Sequence, residues 1–220
     1  MNASSGNSGS APNPMASDAP GPFRILHVCI GNQCRSVIAE RLTRRGMHVR
    51  LGDGAASFRV ASAGTRAIEG GPMDPHTAEA LRALGAETDG FAARRLSVPL
   101  LRDADLILAA TRDERDGVVA MLPQALRRAF TLKEFARLAA PLCQRADGAA
   151  PDVMQHARRV VAQALTLRGR VPYVDPAMDD IPDPARTAPG LEACAYAVAT
   201  ALEGVLDALL RHPSATPVAE

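Results

Sequence analysis

The sequence is poor in aromatic side chains, in net charge and in long apolar runs. Aromatic residues make up 3% of the 220 residues and tryptophan is absent, which argues against a stacking platform for single-stranded nucleic acid. The formal net charge of +1 provides no field that would attract nucleic acid or an anionic membrane. No uninterrupted run of about 18 apolar residues, the length of a membrane-spanning helix, is present. We therefore expect no nucleic-acid or membrane partner and favour a small ligand.

Cysteine is also scarce. The chain has four: Cys29, Cys34, Cys143 and Cys194. Their number and spacing do not form a disulfide framework, so we expect a reducing, cytoplasmic location. Residues 1–22 contain no lysine, no arginine and no apolar run, a composition unlike a secretory signal and typical of a disordered tail. The expected organisation is this tail, one domain over 23–210 and a second polar tail over 211–220.

Strand-like and helix-like patterns alternate along the domain. Short runs rich in branched residues predict strands at 23–30, 58–62, 104–111 and 128–132. Amphipathic stretches predict helices at 36–47, 74–86, 112–122, 191–210 and over most of 133–170, with a break at 147–151. This alternation predicts a parallel sheet covered on both faces, with ligands bound at the carboxyl ends of its strands.

The segment from Cys29 to Ser36 lies at such a strand end and spaces a thiol and a guanidinium six positions apart. A tight loop that leads into a helix directs backbone N–H groups and the positive end of the helix dipole towards one anion. Arg35 would add two parallel hydrogen bonds to a phosphate, and these positive surroundings favour the nucleophilic thiolate of Cys29. The alternative is that Cys29 is only a small buried residue. The preceding strand, the Gly31 turn and the following helix favour the phosphate site.

The segment Val28–Ser36 (VCIGNQCRS), followed by Ala39 and Glu40, resembles the signature of the low-molecular-weight protein tyrosine phosphatases. Further residues match that family in order: Ser62-Ala-Gly-Thr65, Asp74-Pro75, Gly85, Ala93-Arg-Arg95, Ala104-Asp-Leu-Ile-Leu108 and Asp183-Pro184. The resemblance covers residues 23–132 and 178–210. It implies an α/β fold with a four-stranded parallel sheet flanked by helices, and a phosphomonoester hydrolase that forms a phosphocysteine without a cofactor.

The resemblance also implies a role for each residue of the site. Cys29 attacks phosphorus, Arg35 binds the phosphoryl oxygens, and Ser36 donates a hydrogen bond to the sulfur. Asn32 and Ser62 hold the loop in shape. The phosphate-binding loop comprises Ile30, Gly31, Asn32, Gln33, Cys34 and Arg35.

The general acid is expected on a distant loop that contains several aspartates. Asp183 would protonate the leaving oxygen and then activate water. Asp175, which also precedes a proline, is the runner-up, and Asp179 and Asp180 are further candidates. A solvated loop also contains such a cluster. The order Ile181-Pro-Asp-Pro184 matches the family and favours Asp183.

The substrate-binding residues depart from the family. Aromatic side chains usually flank the substrate ring, whereas the corresponding residues here are Ala185 and Ile68. Gln33 matches neither the tyrosine nor the arginine phosphatases. The phosphotyrosine of a protein is favoured as substrate, while phosphoarginine or a small phosphomonoester stays open. A phosphate-binding module with little or no catalysis is the alternative from another class.

Three further expectations concern residues around the site. Cys34 would capture an oxidised Cys29 as a disulfide, or it simply fills the interior of the loop. The segment 133–175 is longer than the family's connection and forms an extra helical insertion, which is either a lid at the pocket rim or an extension of the core. The five histidines show no ligand spacing, so we expect no metal. Nothing in the sequence indicates an oligomeric state.

Overall fold

The computed structural model describes residues 21–143, 152–172 and 175–210. Four strands form one parallel sheet in the order β2-β1-β3-β4. They are β1 (Phe23–Cys29), β2 (Phe58–Gly64), β3 (Leu106–Ala109) and β4 (Ala129–Thr131). This confirms the predicted α/β fold. The break predicted at 147–151, the tail at 211–220 and residues 1–20 of the first tail lie outside the described residues.

Seven α-helices of the described residues surround the sheet. They are α1 (Arg35–Leu51), α2 (Pro75–Ala83), α3 (Val98–Asp103), α4 (Arg112–Met121), α5 (Leu132–Ala139), α6 (Val153–Leu167) and α7 (Ala188–Leu210). Six of them fall in the helical segments that the sequence predicts, with shifted ends. The additional helix, α3, has six residues, which is too short for helical periodicity to be recognised.

The side chains of β1 alternate between two apolar cores. Phe23 and Ile25 lie in the core that α1, α2, α5, α6 and α7 cover. Leu26 and Val28 lie in the core that α3 and α4 cover. Both faces of the sheet are therefore buried, as expected for parallel strands. Because all four strands run in one direction, their carboxyl ends share one edge of the sheet, and Cys29 is the last residue of β1 there.

Helix α6, the longest described part of the insertion, packs against the core. The buried side chains of α6 are Ala157, Val160, Val161 and Ala164, and they join the core shared with α5 and α7. Arg158 lies 3.5 Å from Asp105, which precedes β3, and donates to the carbonyl of Gly21 before β1. These contacts place α6 at the amino edge of the sheet, opposite Cys29. The lid hypothesis is therefore wrong for α6, and the helix extends the core.

By length and composition alone, α7 is the one described helix that could cross a membrane. In the structure, 56% of its apolar 18-residue stretch is buried, and the helix packs against α1, α2, α5 and α6. A core helix has this composition because it buries most of its surface. The apolar character of α7 is therefore weak evidence for a membrane span.

Candidate active site

The loop between β1 and α1 follows a tight path that two residues make possible. Asn32 has a φ of 53°, and within the described residues it is the only residue other than glycine with a positive φ. Its short amide side chain tolerates this left-handed conformation. A Cβ on Gly64 would lie 2.5 Å from the Ile30 carbonyl oxygen and 2.8 Å from the Asn32 nitrogen. Only glycine therefore lets the end of β2 approach the loop this closely.

Cys29 is buried at the base of this loop and its sulfur has two polar neighbours. Cys29 Sγ lies 2.9 Å from Ser36 Oγ and accepts a hydrogen bond from the backbone N–H of Asn32 at 3.3 Å. Asn32 Nδ2 also donates to Ser36 Oγ at 2.9 Å. Because the Ser36 oxygen accepts this bond, its own hydrogen can point at the sulfur. Two donors aimed at one sulfur stabilise a thiolate.

Arg94 fixes the orientation of the Asn32 amide. The backbone N–H of Arg94 donates to Asn32 Oδ1 at 2.8 Å, which assigns Nδ2 as the donor to both Ser36 and Ser62, the latter at 2.8 Å. The Ser62 hydroxyl in turn donates to the buried carboxylate of Glu40. A continuous hydrogen-bonded chain thus runs from the sulfur to Glu40. Such a buried network holds a loop in one conformation.

Backbone amides of the loop are available to an anion. Among the described residues, no acceptor is found for the N–H groups of Gly31, Gln33, Cys34 and Arg35. They lie at the amino end of α1, where Cys34 forms no side-chain cap. Unpaired amides at a helix amino terminus bind anions such as phosphate.

The guanidinium of Arg35 faces two carboxylates that differ in exposure. Its Nη2 lies 3.2 Å from Glu114 Oε1 and 2.9 Å from Asp183 Oδ1. The Glu114 contact is an ion pair outside hydrogen-bond geometry, and Arg35 Nε has no partner among the described residues. Glu114 is 4% exposed and Asp183 58% exposed. Because Glu114 is buried, we expect it to stay beside Arg35 when an anion binds. A phosphoryl group could replace the exposed Asp183 and bind Arg35 through Nε and Nη2.

Of the two leading candidates for the general acid, the structure brings Asp183 to the phosphate loop through its contact with Arg35. Asp175 instead accepts a hydrogen bond from the backbone N–H of Ala177 at 2.8 Å. It thereby caps a short 3-10 turn, Pro176–Asp179. Its carboxylate has a structural role there.

Asp179 and Asp180 anchor the loop that leads to Asp183. Asp179 binds Arg137 at 2.6 Å. Asp180 accepts a hydrogen bond from the backbone N–H of Arg112 at 2.8 Å and one from its Nη2 at 3.0 Å. Partial burial alone would raise the pKa of Asp180, but the hydrogen bonds from Arg112 outweigh it and lower that pKa. Both carboxylates are therefore engaged in holding the loop.

Cys34 is buried in the core beneath the loop. Burial raises the pKa of its thiol. Both Cys29 and Cys34 are free thiols. The burial fits a side chain that fills the interior of the loop, and the redox role of Cys34 stays a prediction.

The two positions that are usually aromatic in the family hold exposed aliphatic side chains. Ile68, in the segment after β2, is 76% exposed, and Ala185, two residues after Asp183, is also exposed. Ile30 of the loop is 43% exposed. The Gln33 side chain lies 3.5 Å from Arg186 Nη1. The described side chains at these positions are therefore aliphatic, and the Gln33 amide and the Arg186 guanidinium lie near them.

Sequence pattern assigns no role to Glu114, and it includes Glu40 in the family signature without assigning it one. Both are buried, but a glutamate on a helix normally indicates an exposed face, and neither periodicity nor spacing reveals its partner. Thr111 and Glu114 form the Thr-x-x-Glu pattern of a helix start, and the Thr111 side chain accepts from the Glu114 N–H at 3.4 Å. That signal predicts the start of α4 but not the contact of Glu114 with Arg35.

Residues 24–141 match the model of the family described as low molecular weight phosphotyrosine protein phosphatase. The match covers more than half of the chain, which therefore belongs to this family. The chain is 35% identical over 100 residues to the low molecular weight protein-tyrosine-phosphatase Etp of Escherichia coli K12, and 42% identical over 101 residues to Wzb of Salmonella typhi. Each alignment covers 46% of this chain and 62% of the relative.

A protein-arginine-phosphatase of Geobacillus stearothermophilus is 33% identical over 114 residues, which are 52% of this chain and 72% of that protein. Solved structures of the family share the fold. The low molecular weight protein tyrosine phosphatase of T. tengcongensis gives a TM-score of 0.60 at 22% identity, covering 84% of this chain and 98% of that chain. The tyrosine phosphatase amsI of Erwinia amylovora gives 0.57 at 22% identity, covering 88% and 97%.

Proposed function

We propose that the protein is a phosphomonoester hydrolase of the protein-tyrosine-phosphatase type that acts through a phosphocysteine. One observation carries the proposal: the Cys29 sulfur lies 2.9 Å from the Ser36 hydroxyl, at the base of a loop in which four backbone N–H groups have no acceptor among the described residues. The Arg35–Asp183 pair of the same site supplies a phosphate-binding cation and a solvent-accessible carboxyl group. A nucleophile, an anion site and an acid in one site are what phosphoryl transfer to a side chain needs.

The reaction has two steps. In the first, the Cys29 thiolate forms an S–P bond, the P–O bond to the leaving group breaks, and Asp183 donates its proton to the departing oxygen. Arg35 and the loop amides stabilise the charge on the phosphoryl oxygens. In the second, Asp183 takes a proton from water as that water attacks phosphorus, and the sulfur leaves as a thiolate that Ser36 stabilises. Inorganic phosphate is released, and no metal or cofactor takes part in this scheme.

The substrate we favour is the phosphotyrosine of a protein, as the names of Etp and Wzb suggest. Phosphoarginine is the second candidate. The exposed Ile68 and Ala185, at positions that are usually aromatic in the tyrosine phosphatases, favour it, and so does the likeness to the Geobacillus arginine phosphatase. Because the mechanism needs a reduced Cys29 thiol, we also propose a cytoplasmic location.

Hydrolysis of p-nitrophenyl phosphate in the presence of EDTA tests the proposal. We expect turnover by the wild-type protein and none by Cys29→Ser, since the mutant lacks the nucleophile. Parallel assays on phosphotyrosine and phosphoarginine peptides rank the two substrates. If the wild type binds inorganic phosphate but hydrolyses none of the three, the protein is a phosphate-binding module and the proposed function is wrong.

A further inference from the structure

The general-acid candidate itself is weakly held. Within the described residues, Arg35 is the only ion-pair partner of the Asp183 carboxylate, and the proposed reaction replaces that contact with the substrate phosphoryl group. The position of Asp183 during proton transfer must therefore come from the backbone on either side. General acid catalysis depends strongly on that position, since the proton donor must lie within hydrogen-bond distance of the leaving oxygen.

The backbone before Asp183 is fixed at Ile181. The Ile181 N–H donates to the Ala110 carbonyl at 2.8 Å, just after the end of β3. The Ile181 carbonyl accepts from Arg35 Nη1 at 3.0 Å, and the Ile181 side chain is buried in the core. The chain therefore reaches Asp183 from a rigid point two residues away.

The backbone after Asp183 is tied to the phosphate loop through Arg186. Arg186 Nη1 lies 3.3 Å from Asp74 Oδ2 and 3.5 Å from Gln33 Oε1. Both partners are themselves fixed, because the Asp74 N–H donates to the Gln33 carbonyl at 3.2 Å. Asp74 also caps α2 by accepting from the His76 N–H at 2.9 Å. Residues 175–187, which contain Asp183, are called the acid loop. Arg186 thus links the acid loop to the phosphate loop and to the start of α2.

We propose that Arg186 is a positioning residue, which keeps Asp183 in place over the phosphate loop by clamping the chain to Asp74 and Gln33. The inference rests on the proposed function, in which Asp183 is the general acid. Loss of this clamp frees the chain between Ile181 and the first turn of α7. Asp183 then spends less time within reach of the leaving oxygen, while the nucleophile and the phosphate-binding groups are unchanged.

The test compares two substrates that differ in their need for an acid. Phenyl phosphate has a basic leaving group that must be protonated, whereas p-nitrophenolate leaves with little help. For Arg186→Gln, we expect kcat/KM to fall by about tenfold or more on phenyl phosphate, a part of the full contribution of a general acid. The fall on p-nitrophenyl phosphate should be several times smaller. The measured quantity is the ratio of kcat/KM on phenyl phosphate to kcat/KM on p-nitrophenyl phosphate.

Three companion variants sharpen the test. Asp74→Asn keeps the helix cap, since asparagine caps as well as aspartate, but it removes the charge that holds Arg186, so it should lower the ratio in the same way. Arg186→Lys keeps the ion pair and should restore part of it. Arg82→Gln removes an exposed arginine of α2 and should leave the ratio at the wild-type value.

The inference is overturned if Arg186→Gln lowers kcat/KM equally on both substrates or does not lower it on either. It is also overturned if Asp74→Asn keeps the wild-type ratio. A different result, in which the wild-type protein hydrolyses neither substrate, would contradict the proposed function itself. The two failures are therefore distinguishable in the same set of assays.

Discussion

Asn32 is the residue on which the geometry of the site depends most. It adopts a left-handed backbone conformation, donates its N–H to the Cys29 sulfur, and uses both amide hydrogens to hold Ser36 and Ser62. An aspartate in its place would lack the Nδ2 donor, and most other residues would be strained at this φ. The sequence motif predicts a polar residue that supports the loop. It does not predict that Arg94, from a distant segment, sets the amide orientation.

The Ser36 hydroxyl is placed to stabilise the Cys29 sulfur when the sulfur leaves phosphorus. Ser36→Ala removes one of the two hydrogen-bond donors at the sulfur, so the thiolate becomes a poorer leaving group in the second step. We expect kcat to fall by about 100-fold, as for the loss of one donor to a developing charge. The phosphocysteine should accumulate, which is visible as a burst of p-nitrophenol in stopped-flow assays. An unchanged kcat with no burst in a variant of normal thermal stability would contradict this role.

The buried His27 makes the stability of the folded protein depend on pH. The ring lies in the core, Nε2 is 3.0 Å from Thr43 Oγ1, and burial lowers the pKa of His27 from 6.5 to about 3. Between these two values the unfolded chain binds a proton that the folded protein does not bind. The free energy of unfolding is therefore highest above pH 6.5, the pKa of His27 in the unfolded chain. As the pH falls from 6.5 towards the pKa of His27 in the folded protein, His27 lowers that free energy by about 1.4 kcal/mol per pH unit.

We expect His27→Gln to be less stable than the wild type at neutral pH but to lose stability less steeply on acidification. Urea unfolding at a series of pH values measures both slopes. Equal slopes in the two proteins would show that His27 is not the group that takes up the proton.

Arginine contacts join α6 to α5 and β4, and another arginine joins α5 to the acid loop. Arg168, just after α6, binds Glu134 at 2.9 Å, donates to the Ala129 carbonyl at 2.8 Å, and stacks over Phe130 at 4.4 Å. Arg137 of α5 binds Asp179 of the acid loop at 2.6 Å. Sequence pattern predicts α5 and α6 but not these pairings, because an arginine can reach many partners and its own position in the pattern does not select one.

Because α6 packs on the core far from Cys29, a cavity in its interface should cost stability and leave catalysis intact. Val160→Ala, at a position that is 3% exposed, should lower the free energy of unfolding by about 2 kcal/mol. The kcat/KM for p-nitrophenyl phosphate, measured below the unfolding transition, should match that of the wild type. A loss of activity in a variant of unchanged stability would instead support a lid.

The alternation of strand-like and helix-like segments along the chain correctly predicts the class of fold. The order β2-β1-β3-β4 is consistent with the rule that parallel strands are joined by crossovers over the faces of the sheet. Local pattern fails where the structure depends on distant contacts. Examples are the six-residue helix α3, the burial of Glu114 against Arg35, and the placement of α6 at the amino edge of the sheet.

Sequence predicts the phosphate loop of the site but does not by itself decide which aspartate joins it. Cys29, Arg35 and Ser36 lie within one segment of eight residues and form a recognisable motif, so the loop is found without a structure. Asp183 comes from a segment 147 residues after Ser36 in the numbering, and sequence leaves it in competition with Asp175. Only the fold separates them, because Asp175 caps a short turn and Asp183 contacts Arg35.

We expect the Cys29 sulfur to accept the phosphoryl group from the ester. The most direct measurement is rapid-quench mass spectrometry of Asp183→Asn mixed with p-nitrophenyl phosphate, since this variant lacks the base for the second step and should accumulate the intermediate. We predict one phosphoryl group, attached to Cys29, on the peptide that contains it. Hydrolysis of the ester without any phosphorylated Cys29 peptide at any quench time would contradict the account.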